Sequence, residues 1–268
     1  MPEGDTIARA AARLHEALAG QDVTAFEAAL ARVRTAAENH PLPGRVVERV
    51  SAHGKHLVMH FTGDLLLRSH MRMHGSWHLY RPGERWQRAR HAMRLRLETP
   101  AWQAVAFDVY DAELVPSPSA GQLAAVAALG PDLLDPALDV ASAATRILAE
   151  GGRPIAPVLL DQRVVAGLGN VLRCEVLFLE GVAPDRAAAG LPAETAARLV
   201  ARGARELRRN ASPTATRRVT TGRFSPDEAL WVYQRTGRPC RRCGAAIQSG
   251  PDGPGGRRVY WCPRCQPA

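Results

Sequence analysis

The sequence predicts an α+β protein with a β-rich N-terminal region, a helical region and a small cysteine-bearing module. Three observations predict this order. Short alternating or apolar runs, separated by turn residues, occupy positions 21 to about 115; Ala-rich and Leu-rich stretches with helical spacing follow to about residue 210; and four of the five cysteines lie beyond residue 239. A chain of 268 residues is also long enough for two compact units, each with its own core.

An amphipathic helix is predicted at residues 5–19, where apolar residues recur at helical spacing and Gly20 ends the pattern. Its apolar face consists of Ile7, Ala11, Leu14 and Leu18. The strands predicted beyond it cover residues 46–50, 56–61, 65–68, 77–80 and 93–97. Turn residues separate these runs, which is typical of an antiparallel sandwich or barrel. The Pro-Ser-Pro-Ser segment at 116–119 is the predicted domain boundary.

The chain is strongly basic, with 35 basic and 26 acidic residues and a formal net charge of +9. This excess favours a polyanionic partner, first of all nucleic acid, because basic side chains release counterions from phosphates; a membrane surface is the alternative. Lys55 is the only lysine, and all other basic residues are arginines. Either a compact ammonium is needed at this position or one lysine has survived by chance.

The four clustered cysteines form two Cys-x2-Cys pairs separated by eighteen residues, the spacing of a tetrahedral zinc site. They are Cys240, Cys243, Cys262 and Cys265. All nine histidines lie at or before His91, so we expect one structural zinc ion held by four thiolates. The residues between the pairs, including Arg257, predict a hairpin with cations at its tip. The fifth cysteine, Cys174, lies in an apolar helical stretch and is predicted to be a core residue.

The segment 160–175 predicts one helix ending at Gly167 or Gly169 and a second helix whose N-cap is Asn170. A helix start offers free N–H groups and partial positive charge, which suit a phosphate. The alternative for the same spacing is an ordinary helical hairpin in which the glycines only separate the two helices.

A third motif combines Gly-Lys-His at 54–56 with Ser-His-Met-Arg-Met-His-Gly at 69–75. Lys55 and His70 are candidate phosphate ligands, and Met73, at an expected hairpin turn, is a candidate wedge between stacked bases. For His70 the alternative is a satisfied structural histidine.

The chain start, Met-Pro-Glu-Gly, carries a candidate nucleophile. Removal of Met1 would make Pro2 a secondary amine beside the carboxyl group of Glu3. A terminal amine titrates near about 8, so part of it is uncharged at pH 7, and it can add to a sugar aldehyde carbon to form an iminium. Glu3 would move the protons that this addition requires. The alternative is an unremarkable frayed chain start.

Together, the Met-Pro-Glu-Gly start, the Gly-Lys-His segment, the Gly-Leu-Gly-Asn turn and the hairpin ending in Cys-x2-Cys-Gln resemble the formamidopyrimidine-DNA glycosylase and endonuclease VIII family. The resemblance spans the whole chain in the same order. It implies an N-terminal catalytic β-sandwich with flanking helices at 1–117, a helical domain with a helix-two-turn-helix at 118–230, and a zinc finger at 231–268. The helix-two-turn-helix itself maps on 154–180, and DNA is expected between the two domains.

The resemblance also implies roles for individual residues. Pro2 would be the Schiff-base nucleophile and Glu3 the acid and base that opens the deoxyribose ring. Four residues would grip phosphates around the lesion: Lys55, His70, Asn170 and Arg257. The reaction expected is base excision followed by β- and δ-elimination on a flipped nucleotide. Lys55 is the alternative amine nucleophile.

The positions at which this sequence differs from the family pattern indicate which damaged base the protein is expected to excise. Met-Pro-Glu-Gly resembles the endonuclease VIII branch, and the Arg-Arg-Phe segment of the 8-oxoguanine branch is absent around 108–113. Met73 matches the wedging methionine of that branch, but its partner wedge residues have no counterpart. Family members often have a second glutamate at position 6. This chain has Thr6 there, which argues against a secondary proton relay through that side chain. We therefore expect oxidised pyrimidines to be preferred over 8-oxoguanine.

No N-terminal apolar run with a cleavage signature and no run of about 18 apolar residues is present. We expect a monomeric, cytoplasmic and nucleoid-associated protein, where five cysteines favour metal over disulfides. Two rival hypotheses remain: a non-catalytic zinc-containing binder of damaged, abasic or gapped DNA, and, more distantly, an RNA-associated factor.

Overall fold

The structure, a computed structural model, describes residues 2–116, 124–212, 215, 217–253 and 256–267. The chain divides into two compact units, Met1–Ala128 and Leu129–Ala268. Of the predicted boundary at 116–119, only Pro116 lies within the described residues, where it ends the last strand of the first unit. The expected division into three domains stays a prediction.

The described residues of the first unit form three α-helices and eight strands. They are α1 (Gly4–Leu18), β1 (Ala25–Ala28), α2 (Ala31–Asn39), β2 (Val47–His53), β3 (His56–Phe61), β4 (Leu65–His70), β5 (Ser76–Tyr80), β6 (Met93–Glu98), β7 (Gln103–Phe107), β8 (Asp111–Pro116) and α3 (Ala124–Ala127).

These strands form two four-stranded antiparallel sheets, in the orders β1-β6-β7-β5 and β2-β3-β4-β8. One buried cluster takes side chains from both sheets, among them Leu57 and Leu67 from one and Leu95 and Ala106 from the other. The sheets therefore pack face to face, which confirms the sandwich alternative.

Helix α1 agrees with the predicted span to within one residue at each end, and all four residues of its predicted apolar face are buried in the sandwich core. Gly20 follows the helix with a φ of +77°, a conformation that favours glycine, and its N–H donates to Val47 O at 2.8 Å. Helix α2, in contrast, was not predicted. It buries only Val33, so its sequence has little apolar periodicity to reveal it.

The second unit is mainly helical and ends in a two-stranded hairpin. Its elements are α4 (Val140–Leu148), α5 (Ile155–Val158), α6 (Asn170–Leu179), α7 (Ala193–Asn210), β9 (Gln248–Pro251) and β10 (Arg258–Trp261). One apolar cluster joins the helices to the hairpin and includes Cys174, Phe178, Leu199 and Val259. The prediction that Cys174 is a core residue is confirmed.

The predicted helix ending at Gly167 or Gly169 is wrong. The helix before this segment, α5, ends at Val158, and residues 161–169 are irregular, with a turn at 162–164 and a bridge from Ala166 to Asp132. The side chain of Gln162 binds two of the backbone groups that a helix would pair internally. Its Oε1 accepts from Gly167 N at 3.0 Å, and its Nε2 donates to Leu168 O at 3.1 Å. The chain thus turns sharply at Gly167, where φ is +109°, before α6 begins.

Among the described residues, no helix has the length and apolar character needed to cross a membrane.

Candidate functional site

The chain start leads directly into α1. Pro2 is half-buried and Glu3 is fully buried. The carbonyl of Glu3 accepts from Thr6 N at 2.9 Å and from Ile7 N at 3.0 Å, which begins the helix. The residue before the helix is thereby fixed, and its carboxyl group is held inside the first unit while the proline keeps partial access to solvent.

Thr6, at the position where family members often have a second glutamate, makes local hydrogen bonds. The hydroxyl and backbone N–H of Thr6 both donate to Asp5 Oδ1, at 3.2 and 2.7 Å. Asp5 is itself fully buried. Thr6 therefore belongs to a local arrangement with a buried carboxylate, which the sequence pattern did not reveal.

Lys55 and His70 lie close together in the first unit. Lys55 is half-buried in the two-residue turn between β2 and β3, directly before His56. His56 is opposite His70 in the β3–β4 pairing, and the two imidazole rings are 4.9 Å apart between centroids. Two of the predicted phosphate ligands are thus brought to one end of this sheet.

Both histidines are held neutral at physiological pH. The pKa of His56 is lowered from 6.5 to about 4, mainly by burial and to a smaller extent by the neighbouring His70 and Arg68. Burial likewise lowers the pKa of His70 to about 4, although the Asp111 carboxylate acts in the opposite direction. A contact of His70 with a phosphate would therefore be a hydrogen bond from a neutral imidazole.

An arginine-carboxylate network, missed in the sequence, lies on the same face. The buried guanidinium of Arg68 donates to Asp111 Oδ1 and Glu113 Oε1, both at 2.6 Å, and lies 3.1 Å from His56 Nδ1. Arg72 donates to the other oxygen of Asp111 at 2.8 Å. The network fixes the ends of β4 and β8 beside His70.

Met73 lies on an exposed turn, and its side chain is 53% accessible. The expectation of a hairpin turn is wrong, because the turn connects β4 of one sheet to β5 of the other. Arg72 has a φ of +49°, and Gly75 N closes the turn on Met71 O at 2.9 Å. A second large exposed side chain in this unit, Tyr110, is 61% accessible between β7 and β8 and was not singled out in the sequence.

In the second unit, Asn170 is the first residue of α6 and not its N-cap, which corrects the prediction. The cap position is Gly169, which has no side chain that could accept a capping hydrogen bond. The Asn170 side chain is nearly buried and donates instead to Arg258 O at 3.0 Å. The carboxamide thus joins the helix start to the hairpin strand that follows Arg257.

Arg257 is exposed directly before β10. Strands β9 and β10 pair as predicted for a hairpin between the cysteine pairs, with Pro251 opposite Arg258. Residues 254 and 255, between the two strands, lie outside the described residues.

The four predicted cysteines form a cluster whose sulfur atoms all lie within 4.8 Å of one another. The Sγ atoms of Cys240 and Cys265 are 3.9 Å apart, and those of Cys243 and Cys262 are 3.5 Å apart. A tetrahedral ion with metal–sulfur bonds of about 2.3 Å needs sulfur separations of about 3.8 Å. The cluster fits a metal ion with four thiolate ligands.

The protein surroundings shift the thiols in different directions. A backbone hydrogen bond from Ala245 lowers the pKa of Cys243 to about 7, whereas burial raises the pKa values of Cys262 and Cys265. Gln266 closes the second cysteine turn: its Oε1 accepts from Cys262 N at 2.9 Å, and its Nε2 donates to Val182 O at 2.8 Å. The module is thereby tied to the helical part of its own unit.

Sequence inspection missed two charged residues of α6, Arg173 and Glu175. Both are fully buried, although both belong to an otherwise apolar helix. The carboxylate of Glu175 accepts from the backbone N–H groups of Trp231, Val232 and Tyr233 at 2.7 to 2.9 Å. Two charges on either side of a buried cysteine in an apolar helix were the available signal, since such charges are buried only with partners.

Comparisons with known proteins agree with this architecture. The profile described as the formamidopyrimidine-DNA glycosylase N-terminal domain matches residues 1–110, and the one described as the formamidopyrimidine-DNA glycosylase H2TH domain matches residues 129–217. The chain is 40% identical over 269 residues to a probable endonuclease 8 2 of Streptomyces coelicolor, with 99% of this chain and 94% of the relative covered. It is 39% identical to the DNA-(apurinic or apyrimidinic site) lyase Nei2 of Mycolicibacterium smegmatis, with both chains fully covered.

The fold is also similar to a solved structure of the Lactococcus lactis formamidopyrimidine-DNA glycosylase bound to DNA that contains an abasic site. The TM-score is 0.84, the sequence identity is 26%, and both chains are covered completely. The resemblance inferred from the motifs is confirmed by these matches along the full chain. The chain belongs to the formamidopyrimidine-DNA glycosylase and endonuclease VIII family of damaged-DNA glycosylases and abasic-site lyases.

Proposed function

We propose that this protein is a bifunctional glycosylase and abasic-site lyase that excises oxidised pyrimidines in base excision repair. After removal of Met1, the uncharged nitrogen of Pro2 bonds to C1′ of the flipped nucleotide as the glycosidic bond breaks. The base leaves with a proton, the sugar ring opens and an iminium forms. Successive β- and δ-elimination then break the bonds to the 3′ and 5′ phosphates.

The observation that carries this proposal is the contrast between Pro2 and Glu3. The proline is half-buried, whereas the carboxyl group beside it is fully buried at the start of a fifteen-residue helix. A nucleophile needs access to its substrate, and a proton-transfer group needs a fixed position within hydrogen-bond reach. The rigid helix supplies that position for Glu3.

Duplex DNA is the proposed partner of a monomeric protein, in keeping with its net charge of +9. Lys55, His70, Asn170 and Arg257 are the proposed phosphate ligands, and Met73 is the proposed wedge. The exposure of Met73 and the clustering of Lys55 with His70 support these roles. Similar solved structures contain DNA with an abasic site, in the Lactococcus lactis enzyme, and DNA with carbocyclic 8-oxo-G, in MutM.

We propose that the four-cysteine cluster holds one structural zinc ion. Four sulfur ligands with no position left for a substrate favour a structural site, and the chain's own residues close the module around it. Zinc would contribute folding free energy to a module too small for a large core.

The preference for oxidised pyrimidines rests on the chain start and on residues 108–113. The Arg-Arg-Phe segment of the 8-oxoguanine branch is absent there, and residues 108–113 include three carboxylates. Asp108 pairs with Arg88 at 2.6 Å, and Asp111 and Glu113 both pair with Arg68 at the same distance. This segment therefore offers anions already paired within the unit, and no arginine pair.

Borohydride trapping tests the chemistry. Zinc-loaded protein whose mass shows loss of Met1 is incubated with duplexes that contain thymine glycol, 5-hydroxyuracil, 8-oxoguanine or a preformed abasic site. We expect a reduced covalent adduct and strand cleavage, with the two pyrimidine lesions processed faster than 8-oxoguanine. Absence of adduct and cleavage on every duplex, with DNA binding intact, would establish the non-catalytic binder instead.

Glu3→Gln is the informative variant because it keeps the side-chain volume and removes proton transfer. We expect base excision to fall by about 10²- to 10⁴-fold. Cleavage of a preformed abasic site should fall less, because no base has to leave. Equal rates for Glu3→Gln and the parent protein on the base-containing duplex would exclude Glu3 as the acid and base.

A further inference from the structure

Arg173 is the largest fully buried side chain of the described residues, and its guanidinium joins three parts of the second unit. Its Nη1 pairs with the carboxylate of Asp252 in the turn after β9 and donates to Ala156 O of α5 at 3.2 Å. Its Nη2 donates to Oδ1 of Asn170, one helical turn before it. One cation therefore contacts α5, the start of α6 and the turn of the cysteine-bearing hairpin.

The carboxamide of Asn170 is consequently held at both ends. Its oxygen accepts from Arg173, and its nitrogen donates to Arg258 O at 3.0 Å. A primary amide has two N–H bonds, so these two contacts use one of them and fix the plane of the group. The turn that contains Asp252 also leads to Arg257, whose carbonyl accepts from Asp252 N at 3.2 Å.

A contribution to stability does not by itself explain the buried ion pair of Arg173 and Asp252. Taking a guanidinium and a carboxylate out of water costs about as much as their attraction returns, so apolar residues of similar size are often equally stable. Here the Asp252 side chain is 6% accessible and that of Arg173 is 0% accessible. The pair does, however, fix the orientation of the Asn170 carboxamide, which is proposed to hold a phosphate.

We propose that Arg173 and Asp252 are positioning residues that preorganise the phosphate grip of Asn170. The inference rests on the proposed DNA-binding function of this site. Arg173 touches no DNA in this scheme; it acts through the orientation of the Asn170 carboxamide. Asp252 neutralises Arg173 and keeps its guanidinium beside the Asn170 oxygen.

The planar fork of arginine is required by this arrangement. Nη1 and Nη2 address different partners in fixed directions, which a single ammonium cannot do. In Arg173→Lys the ammonium would stay with the buried Asp252 carboxylate, and the Asn170 oxygen would lose its donor. Arg173→Lys therefore separates the charge pair from the orientation of the carboxamide.

The test is a double-mutant cycle on zinc-loaded protein, with affinity measured for a duplex that contains a reduced, uncleavable abasic site. Asn170→Ala should raise Kd about tenfold, the effect of one lost charge-assisted hydrogen bond. Arg173→Lys should raise Kd by a similar factor. The double variant should match Asn170→Ala alone, because Arg173 acts through the group already removed.

Arg202→Lys is the matched control, since Arg202 pairs with Glu180 at 2.7 Å in the same unit and does not contact Asn170. It should leave Kd unchanged. Asp252→Asn provides a second cycle in case Arg173→Lys loses zinc or lowers the melting temperature sharply, and it should also be non-additive with Asn170→Ala.

The possible outcomes separate the two proposals. If the parent protein does not bind the abasic duplex, the proposed function fails and this inference fails with it. If the parent binds, two results would overturn only the positioning role. One is an increase in Kd of about a hundredfold for the double variant, the product of the two single effects; the other is a Kd for Arg173→Lys equal to that of the parent. An unchanged Kd for Asn170→Ala would overturn it too.

Discussion

Arg68 and Asp111 form an ion pair of 2.6 Å across two paired strands, and they do so on the face of the sheet that carries His70. The guanidinium is almost fully buried and also binds Glu113 at 2.6 Å. Two carboxylates therefore share one buried cation, and Asp111 also binds the exposed Arg72.

We expect Arg68→Met to lower the free energy of unfolding by about 2 kcal/mol at pH 7, because it leaves two partly buried carboxylates without their main partner. Arg72→Met is the control, since Arg72 binds the same Asp111 from a side chain that is 67% accessible, and exposed pairs contribute less than about 1 kcal/mol. Urea denaturation of the zinc-loaded protein measures both. Equal losses for the two variants would contradict the assigned importance of burial.

The Arg68 effect should also depend on pH. Burial alone raises the pKa of Asp111, but the hydrogen bonds and charges of Arg68 and Arg72 outweigh it and the pKa lies below its ordinary value. A lowered folded-state pKa contributes stability above the unfolded value of about 3.9, and this contribution is lost as pH falls through the folded pKa. The difference between parent and Arg68→Met should therefore shrink from pH 7 to pH 3.

His56 and His70 give a second pH dependence. Both have pKa values of about 4 in the folded protein, below the ordinary 6.5, because burial disfavours their charged forms. Between these values the unfolded chain binds more protons, so stability is complete above about pH 6.5 and is lost as pH falls towards 4. NMR titration of the two imidazoles should give midpoints near 4 in the native protein and near 6.5 in urea. Native midpoints near 6.5 would contradict this account.

The neutral state of His70 distinguishes its DNA contact from that of Lys55. Removing one cation in Lys55→Ala should weaken DNA binding broadly and reduce the salt slope, log Kd against log salt, by about one unit. His70→Asn should weaken binding without changing that slope, because a neutral imidazole releases no counterion. Fluorescence anisotropy over a range of salt concentrations measures both effects.

Lys55→Ala serves a further purpose as the variant without any lysine. Its covalent adduct under borohydride should persist, which assigns the nucleophile to the chain start. Loss of the adduct at saturating DNA concentrations would assign it to Lys55.

Metal removal should unfold the C-terminal module. Cys262→Ser deletes a fully buried ligand, and we expect less than one zinc per chain, a lower melting temperature and loss of DNA binding. Cys174→Ala is the matched control, because Cys174 is equally buried but lies in α6 and is not part of the cluster. It should retain one zinc per chain by metal analysis. Full zinc occupancy in Cys262→Ser would show that this thiolate is not required.

How far the sequence could predict the structure depends on the range of the signal. Helix α1 was predicted to within one residue because its apolar residues repeat locally, and the cysteine cluster was predicted because its ligands occur in two short motifs. Helix α2 was missed because only one of its residues is buried. Local periodicity is informative only where a face is buried.

The side-chain networks could not be predicted in this way. Arg68 meets Asp111 and Glu113 through strand pairing, and Arg173 meets Asp252 across 79 residues of chain. Asn170 was expected to cap its helix, a local role, but its carboxamide is engaged by the hairpin that returns 88 residues later. Such contacts depend on tertiary placement, which no spacing rule supplies.

The backbone conformation of Gly167 sets the turn that leads into α6. Its φ of +109° is unfavourable for any residue with a Cβ, and a Cβ built there would lie 3.1 Å from Leu207 Cδ1. Gly167→Ala should therefore destabilise the protein by about 1–3 kcal/mol, the usual cost of such backbone strain, and should weaken DNA binding by displacing Asn170. Gly190→Ala is the control, since its nearest neighbouring atom would be 3.9 Å away and its φ is not positive. Urea denaturation and abasic-duplex affinity measure the two effects; if the two alanine variants behave alike, the turn before α6 does not depend on glycine at this position.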